Sequence, residues 1–154
     1  MILQDKIALI TGASRGVGAA TALALAKAGC KVAINYNQSA ERAEQVATQC
    51  HEMGAETILT QGDVAEDAVC RSVVEQTLSA FGGLDILINN AGTTRFIDFP
   101  NLEDVTDEDW DRIFAVNLRG PFQMARAARE VLAKGEGGVI VNTASIAGMV
   151  GAGS

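Results

Sequence analysis

Short, nearly unbroken apolar runs recur along the chain at Ile7–Ile10, Val32–Ile34, Thr57–Leu59, Leu84–Ile88 and Val139–Val141, each bounded by glycine or polar residues. Runs of this length and continuity predict strands buried on both faces. Between them lie longer stretches with helical spacing: Gly18–Ala28, Ala40–Met53, Ala68–Phe81 and Asp107–Lys134. In the last two the apolar positions include Val74, Leu78 and Phe81, and Trp110, Phe114 and Leu118. Parallel strands need crossovers of a dozen or more residues, and right-handed crossovers lay helices on both sheet faces. The alternation therefore predicts an α/β fold, a doubly wound parallel sheet, with residues 1–154 forming one domain.

Local chemistry marks the helix ends. Thr106 followed by Asp109 forms a capping box, Gly29 and Gly54 stand where left-handed caps belong, and Gly82-Gly83 closes the third helix. Pro121 falls inside the fourth helical pattern and cannot donate to the carbonyl of Asn117 four residues earlier.

Composition narrows the class. At 154 residues, 48% hydrophobic and 20% charged, the chain is long enough to bury one core without staples. Cys30, Cys50 and Cys70 show no paired spacing and read as reduced thiols of a cytoplasmic protein. A single histidine, His51, removes most metal sites, and no metal is expected. A net charge of -7 with scattered Lys and Arg argues against a nucleic-acid partner. No apolar run approaches the roughly 18 residues of a membrane span, so no membrane partner is expected either.

The chemistry begins at Thr11-Gly12-Ala13-Ser14-Arg15-Gly16-Val17-Gly18, which leaves the first strand and opens the first helix. A pyrophosphate needs backbone amides at close range and the positive end of a helix, and glycines clear the approach. The spacing is Gly-x-x-x-Gly-x-Gly rather than Gly-x-Gly-x-x-Gly, but its place at the first strand–helix junction favours a dinucleotide over an ordinary tight turn. An acid at the end of the second strand would bind the ribose 2′-hydroxyl of NAD. Here stand Asn35, Tyr36 and Asn37, and Arg15 offers a fork suited to a 2′-phosphate. The residues thus favour NADP(H).

With these motifs in view, the sequence resembles the short-chain dehydrogenases/reductases, most nearly the 3-oxoacyl-(acyl-carrier-protein) reductases. The resemblance rests on Thr11-Gly12-x-x-x-Gly16-x-Gly18, Gly62-Asp63-Val64, Asn89-Asn90-Ala91-Gly92, Asn117 and Ser145, in that order across the chain. It implies a Rossmann fold with strand order 3-2-1-4-5 and hydride transfer between a nicotinamide and a ketone or secondary alcohol. By resemblance, Gly12, Ser14, Arg15, Gly16, Val17 and Gly18 form the phosphate loop, Asp63 and Val64 meet the adenine, and Asn37 lies near the ribose. Asn90, Ala91 and Gly92 line the cofactor's middle. Ser145 is the catalytic hydrogen-bond donor, and the Asn117 carbonyl holds a water in a proton relay. Homodimers or homotetramers are the assemblies implied, with a small carbonyl or alcohol as substrate.

The family's acid is a Tyr about thirteen residues beyond the Ser, followed four later by a Lys that lowers its pKa from about 10. No Tyr-x-x-x-Lys occurs here: the only tyrosine, Tyr36, is followed by Ala40. The Gly-rich apolar segment Ser145–Ser154 and a fifth strand with no following helix suggest an amino-terminal portion, truncated after that strand. Alone, it should be inactive. The alternatives are a non-catalytic dinucleotide-binding module and, less suited to Asn35-Tyr36-Asn37, a methyltransferase. Phe96 and Phe99 form either an apolar wall for substrate or packing under the helix.

Overall fold

Ile7, Ala8, Leu9 and Ile10 offer solvent no polar side chain, and all four are buried at the centre of the structure. The computed structural model describes residues 3–98, 100–134 and 137–150. Strands β1 (Ile7–Ile10), β2 (Lys31–Tyr36), β3 (Thr57–Gln61), β4 (Ile86–Asn89) and β5 (Val139–Asn142) form one parallel sheet in the order β3-β2-β1-β4-β5. This is the doubly wound arrangement expected from the alternation.

The two-residue period of β1 divides the core into two layers. Ala8 and Ile10 join the cluster beneath helices α1 (Gly16–Lys27) and α2 (Ala40–Glu52), with Val32, Ile34, Ala22 and Val46. Ile7 and Leu9 face α3 (Asp67–Phe81) and, beyond α4 (Asp107–Phe114), helix α5 (Gly120–Leu132), with Leu87, Val73, Met124 and Ala128. Helix α1 buries only Gly18, Ala22 and Ala26, and side chains this small let it lie close to the sheet.

Several expectations change in detail. Strands β2 and β3 run on to Tyr36 and Gln61 because the buried Asn35 amide donates to the Thr60 carbonyl at 3.1 Å and the Gly62 carbonyl at 3.3 Å. A search for apolar runs stops at such a residue. The long fourth helix is three pieces: α4, a wider π-helical turn over Ala115–Arg119, and α5 with Pro121 in its first turn. Pro121 brings no N–H and its ring crowds the Asn117 carbonyl, so the ladder resets by a residue, with the Gly120 amide donating to the Ala115 carbonyl. The Thr106–Asp109 capping box forms, and Gly29, Gly54 and Gly82 all have positive φ.

Two apolar patterns are resolved only by the structure. Trp110, Phe114 and Leu118 do not face the sheet; they are exposed, while Val116, Met124 and Leu132 are the residues that pack inward. Spacing identified the helix, and packing against the sheet decided which face turns in. Strand β5 is not buried on both faces: its four residues are exposed at the sheet's edge, since the described helices cover β1 and its neighbours instead. That agrees with the uncovered edge expected there. Phe99 and the last four residues of the segment Ser145–Ser154 lie outside the described residues. Among the described residues no helix is long and apolar enough to cross a membrane.

Leu9 is fully buried between strands and helices. Leu9→Ala should lower unfolding stability by about 2–5 kcal/mol, read from the midpoint and slope of urea denaturation.

Candidate functional site

Where β1 ends, one buried hydroxyl ties two loops together. Thr11 Oγ1 donates to the Ile88 carbonyl at 3.4 Å and accepts from the amides of Asn90 and Ala91, each at 3.0 Å. The Asn90 side chain returns the contact, its Nδ2 donating to the carbonyls of Thr11 at 3.0 Å and Gly12 at 3.2 Å. The turn after β1 and the turn after β4 are therefore one rigid unit. Ala13, also buried, donates its amide to the Asn35 carbonyl at 2.8 Å and anchors the loop to β2.

The three glycines serve three different ends. Gly12 has φ +63°, and a Cβ there would stand 2.7 Å from the Ala91 Cα, so only glycine allows the two loops to touch. A Cβ on Gly18 would lie 2.6 Å from the Gly12 carbonyl oxygen and would strike the Asn90 amide, which fixes how closely α1 approaches the loop. Gly16 has φ +57° and a Cβ there would meet nothing within 4 Å, so this glycine faces open space at the start of α1.

That space is a cleft of about 580 Å³ over the carboxyl ends of the strands. From the first loop it takes in Gly12, Ser14, Arg15 and Gly16, and from the later strand exits Asn37, Asp63, Val64, Asn90, Ala91 and Gly92. Four expected residues stand off its wall. Val17 points to solvent and Gly18 lies buried beneath the loop. Asn117 sits in the π-helical turn, its Nδ2 donating to the Thr93 carbonyl and its Oδ1 accepting the Thr93 amide, both at 2.8 Å. Ser145 Oγ accepts the Ala147 amide at 3.1 Å and caps a short 3-10 turn at Ile146–Gly148. Phe96 is exposed and also lies off the wall.

The cleft also contains Thr93, the first residue of the segment Thr93–Pro100 that carries Phe96, and residues that sequence reasoning missed: Gln38, Ser39, Val116 and Arg112. Gln38 and Ser39 directly follow Asn37, so reading two residues past the strand would have found them. Arg112 comes from α4 and pairs with Asp63 at 2.7 Å, a contact that no local pattern announces. Asp63 Oδ2 also accepts from Asn37 Nδ2 at 3.2 Å, and Oδ1 accepts the Ala65 amide at 2.9 Å. Partial burial pushes the Asp63 pKa up, but the Ala65 amide, the Arg112 guanidinium and the Asn37 amide together outweigh it and hold the carboxyl below its ordinary value. The Val64 carbonyl is claimed twice, by Gln123 Nε2 at 3.0 Å and by the Cys70 thiol at 3.3 Å. Burial first, with Asp67 and Asp63 adding to it, pushes Cys70 up to about 11, so it is a packed thiol rather than a nucleophile.

A glycine-paved loop opening a helix, joined to an Asn-Ala-Gly turn across the middle of a 3-2-1-4-5 sheet, can be compared directly with known proteins. A family model for short chain dehydrogenase matches residues 6–154. The chain belongs to the short-chain dehydrogenase family. Within it, the chain is 43% identical over 151 residues to an uncharacterized oxidoreductase of Thermotoga maritima, covering 98% of this chain and 58% of that protein. It is 40% identical over 149 residues to the 3-oxoacyl-[acyl-carrier-protein] reductase of Synechocystis, covering 97% of this chain and 59% of that one. Among solved structures, a short chain dehydrogenase from Burkholderia cenocepacia in complex with NADP superposes with a TM-score of 0.89 at 44% identity, covering 96% of this chain and 58% of that one. This short-chain dehydrogenase chain thus spans under two thirds of the length of the relatives it matches.

Two measurements probe the site. Thr11→Val leaves the Asn90 and Ala91 amides without their acceptor and should lower stability by about 1–3 kcal/mol in chemical denaturation, with Thr11→Ser retaining most of it. The Asp63 contribution to stability should be complete above its ordinary pKa of 3.8 and disappear as pH falls through the lower native value. Comparing acid unfolding curves of the parent and Asp63→Asn should show the variant's acid limb flattened.

Proposed function

We propose that the protein carrying this chain is an NADP(H)-dependent oxidoreductase that transfers hydride between the nicotinamide and a ketone or secondary alcohol. The observation that carries this reading is the cleft itself: an amide-lined loop at a helix N-terminus, with Gly16 facing open space, Arg15 beside it and no acid at the end of β2. The residues present fit a dinucleotide, and a relative of the same family was solved with NADP. The family membership supports the reaction class.

When bound, the nicotinamide would supply or accept the hydride; everything else falls to the chain. The amides from Gly12 to Gly16 and the first turn of α1 would hold the pyrophosphate, with Ser14 adding a hydroxyl. Val17 and Gly18 would act from behind, by starting the helix and by packing it against the loop. Arg15, exposed and in no ion pair among the described residues, would take the 2′-phosphate, with Asn37 near the ribose. Asp63 and Val64 would bound the adenine, and Asn90, Ala91 and Gly92 the middle of the cofactor. Ser145 would give a hydrogen bond to the reacting oxygen where negative charge develops; its oxygen accepts the Ala147 amide in the 3-10 cap, which leaves the O–H hydrogen to donate. Asn117 would keep the Thr93 segment in place through its side chain, leaving its carbonyl, which Pro121 cannot engage, for a water.

The substrate reading is a 3-oxoacyl thioester, supported by the likeness to the Synechocystis reductase. A homodimer or homotetramer is supported by the exposed Trp110, Phe114, Leu118 and Phe122, which recur at four-residue intervals from α4 to α5. Three buried free thiols accord with a reducing cytoplasm. A second reading is a dinucleotide-binding module without catalysis; Tyr36, the only tyrosine of the 154 residues, lies in β2 and not on the wall of the cleft.

The test is titration of the intact protein with NADPH and NADH, followed by nicotinamide fluorescence. NADPH should bind more tightly, and Arg15→Ala should weaken NADPH by about 1.5–3 kcal/mol while sparing NADH. Tighter NADH binding would refute the cofactor assignment. Binding of NADPH without turnover of any ketone, in a protein whose intact mass is 16.1 kDa, would favour the module.

A further inference from the structure

The charged groups lining the cleft come from three separate elements: Arg15 from the first loop, Asp63 from the exit of β3 and Arg112 from α4. Their arrangement bears on which nicotinamide cofactor the cleft accepts, an inference that rests on the proposed function above. Asn37 directly follows β2, at the position where a carboxylate would favour a ribose hydroxyl and repel a 2′-phosphate. The position carries no charge of its own. Yet its side-chain amide donates to Asp63 Oδ2 at 3.2 Å, so a full negative charge stands one hydrogen bond away, supplied by the neighbouring strand. The same oxygen takes the Arg112 guanidinium at 2.7 Å.

Asp63 is not free to turn away from the cleft. Its other oxygen accepts the Ala65 amide at 2.9 Å and shapes the entry to α3, while Asn37 and Arg112 hold the first. Counting Arg15, Asp63 and Arg112, the cleft carries one net positive charge; without Arg112 it would carry none, and an unmatched carboxylate would lie beside Asn37. A carboxylate so placed acts on a phosphate dianion far more than on a hydroxyl, since only the phosphate is charged.

We propose that Arg112 is a specificity-determining residue: by pairing with Asp63 it cancels the charge that would otherwise repel a 2′-phosphate, and so makes the adenosine end of the cleft permissive for NADP(H). Arg15 attracts the phosphate directly, whereas Arg112 acts by removing an opponent. Any role of Asp63 toward the adenine is common to both cofactors and cancels in the ratio of their affinities. A merely structural tie between α4 and the β3 exit would likewise weaken both cofactors alike.

The experiment is a double-mutant cycle on the intact protein, with NADPH and NADH dissociation constants measured by fluorescence and folding checked by thermal melts. Arg112→Met should weaken NADPH about tenfold and NADH less than about twofold, a shift that shrinks as salt is raised. Arg112→Lys should keep most of the preference. Adding Asp63→Asn to Arg112→Met should return the NADPH-to-NADH ratio to within about threefold of the parent, because the charge to be cancelled has gone. Arg112→Gln, which keeps a donor for Asp63 but no charge, serves the same comparison if the Met variant does not fold. Equal weakening of both cofactors, an unchanged ratio, or a double variant that stays as shifted as the single one would overturn the proposal. A parent protein that binds neither cofactor would instead refute the proposed function.

Discussion

The site depends on the contact between the turns that leave β1 and β4. Two backbone amides from one turn converge on a single hydroxyl from the other, and the Asn90 side chain closes the circuit through two carbonyls. With the Thr11 hydroxyl and the Asn90 side-chain amide both engaged across it, the contact resists separation of the two loops. Gly12 and Gly18 are the steric counterpart of that circuit, since a side chain at either would force the pieces apart. The cleft exists because the junction is closed beneath it while Gly16 is left open above.

From that junction the polar network extends outward to both sides of the sheet's carboxyl edge. Asn35 joins β2 to β3, Asp63 joins the β3 exit to Asn37 and Arg112, and Asn117 joins the π-helical turn to Thr93. Each is an amide or carboxylate bridging elements remote in sequence. The apolar layers beneath hold the strands in register, and these bridges hold the strand exits in place. Rigidity of this kind is what a site needs if binding geometry is to be set before the ligand arrives.

Much of this was legible in the residues. The apolar runs located all five strands, the capping box and the glycine caps marked helix ends, and the glycine loop with its partner motifs brought ten of the expected cofactor residues onto one wall. What escaped had physical reasons. Asn35 looked like the end of a strand because its burial depends on carbonyls of the adjacent strand. Trp110, Phe114 and Leu118 marked a helix but not its burial, because spacing gives an amphipathic helix but not the side it turns inward. Arg112 carried no signal because its partner is fixed by where α4 crosses the β3 exit.

The order of residues alone thus determined the alternation of strand and helix, the site of the phosphate-type loop and the family, because these rest on local period, glycine placement and short motifs. The tertiary structure decided which helix face is buried, where the long helix resets around Pro121, and which distant charges share the cleft. Those outcomes arise from packing and Coulomb interactions between groups far apart along the chain, and no local pattern encodes their distance.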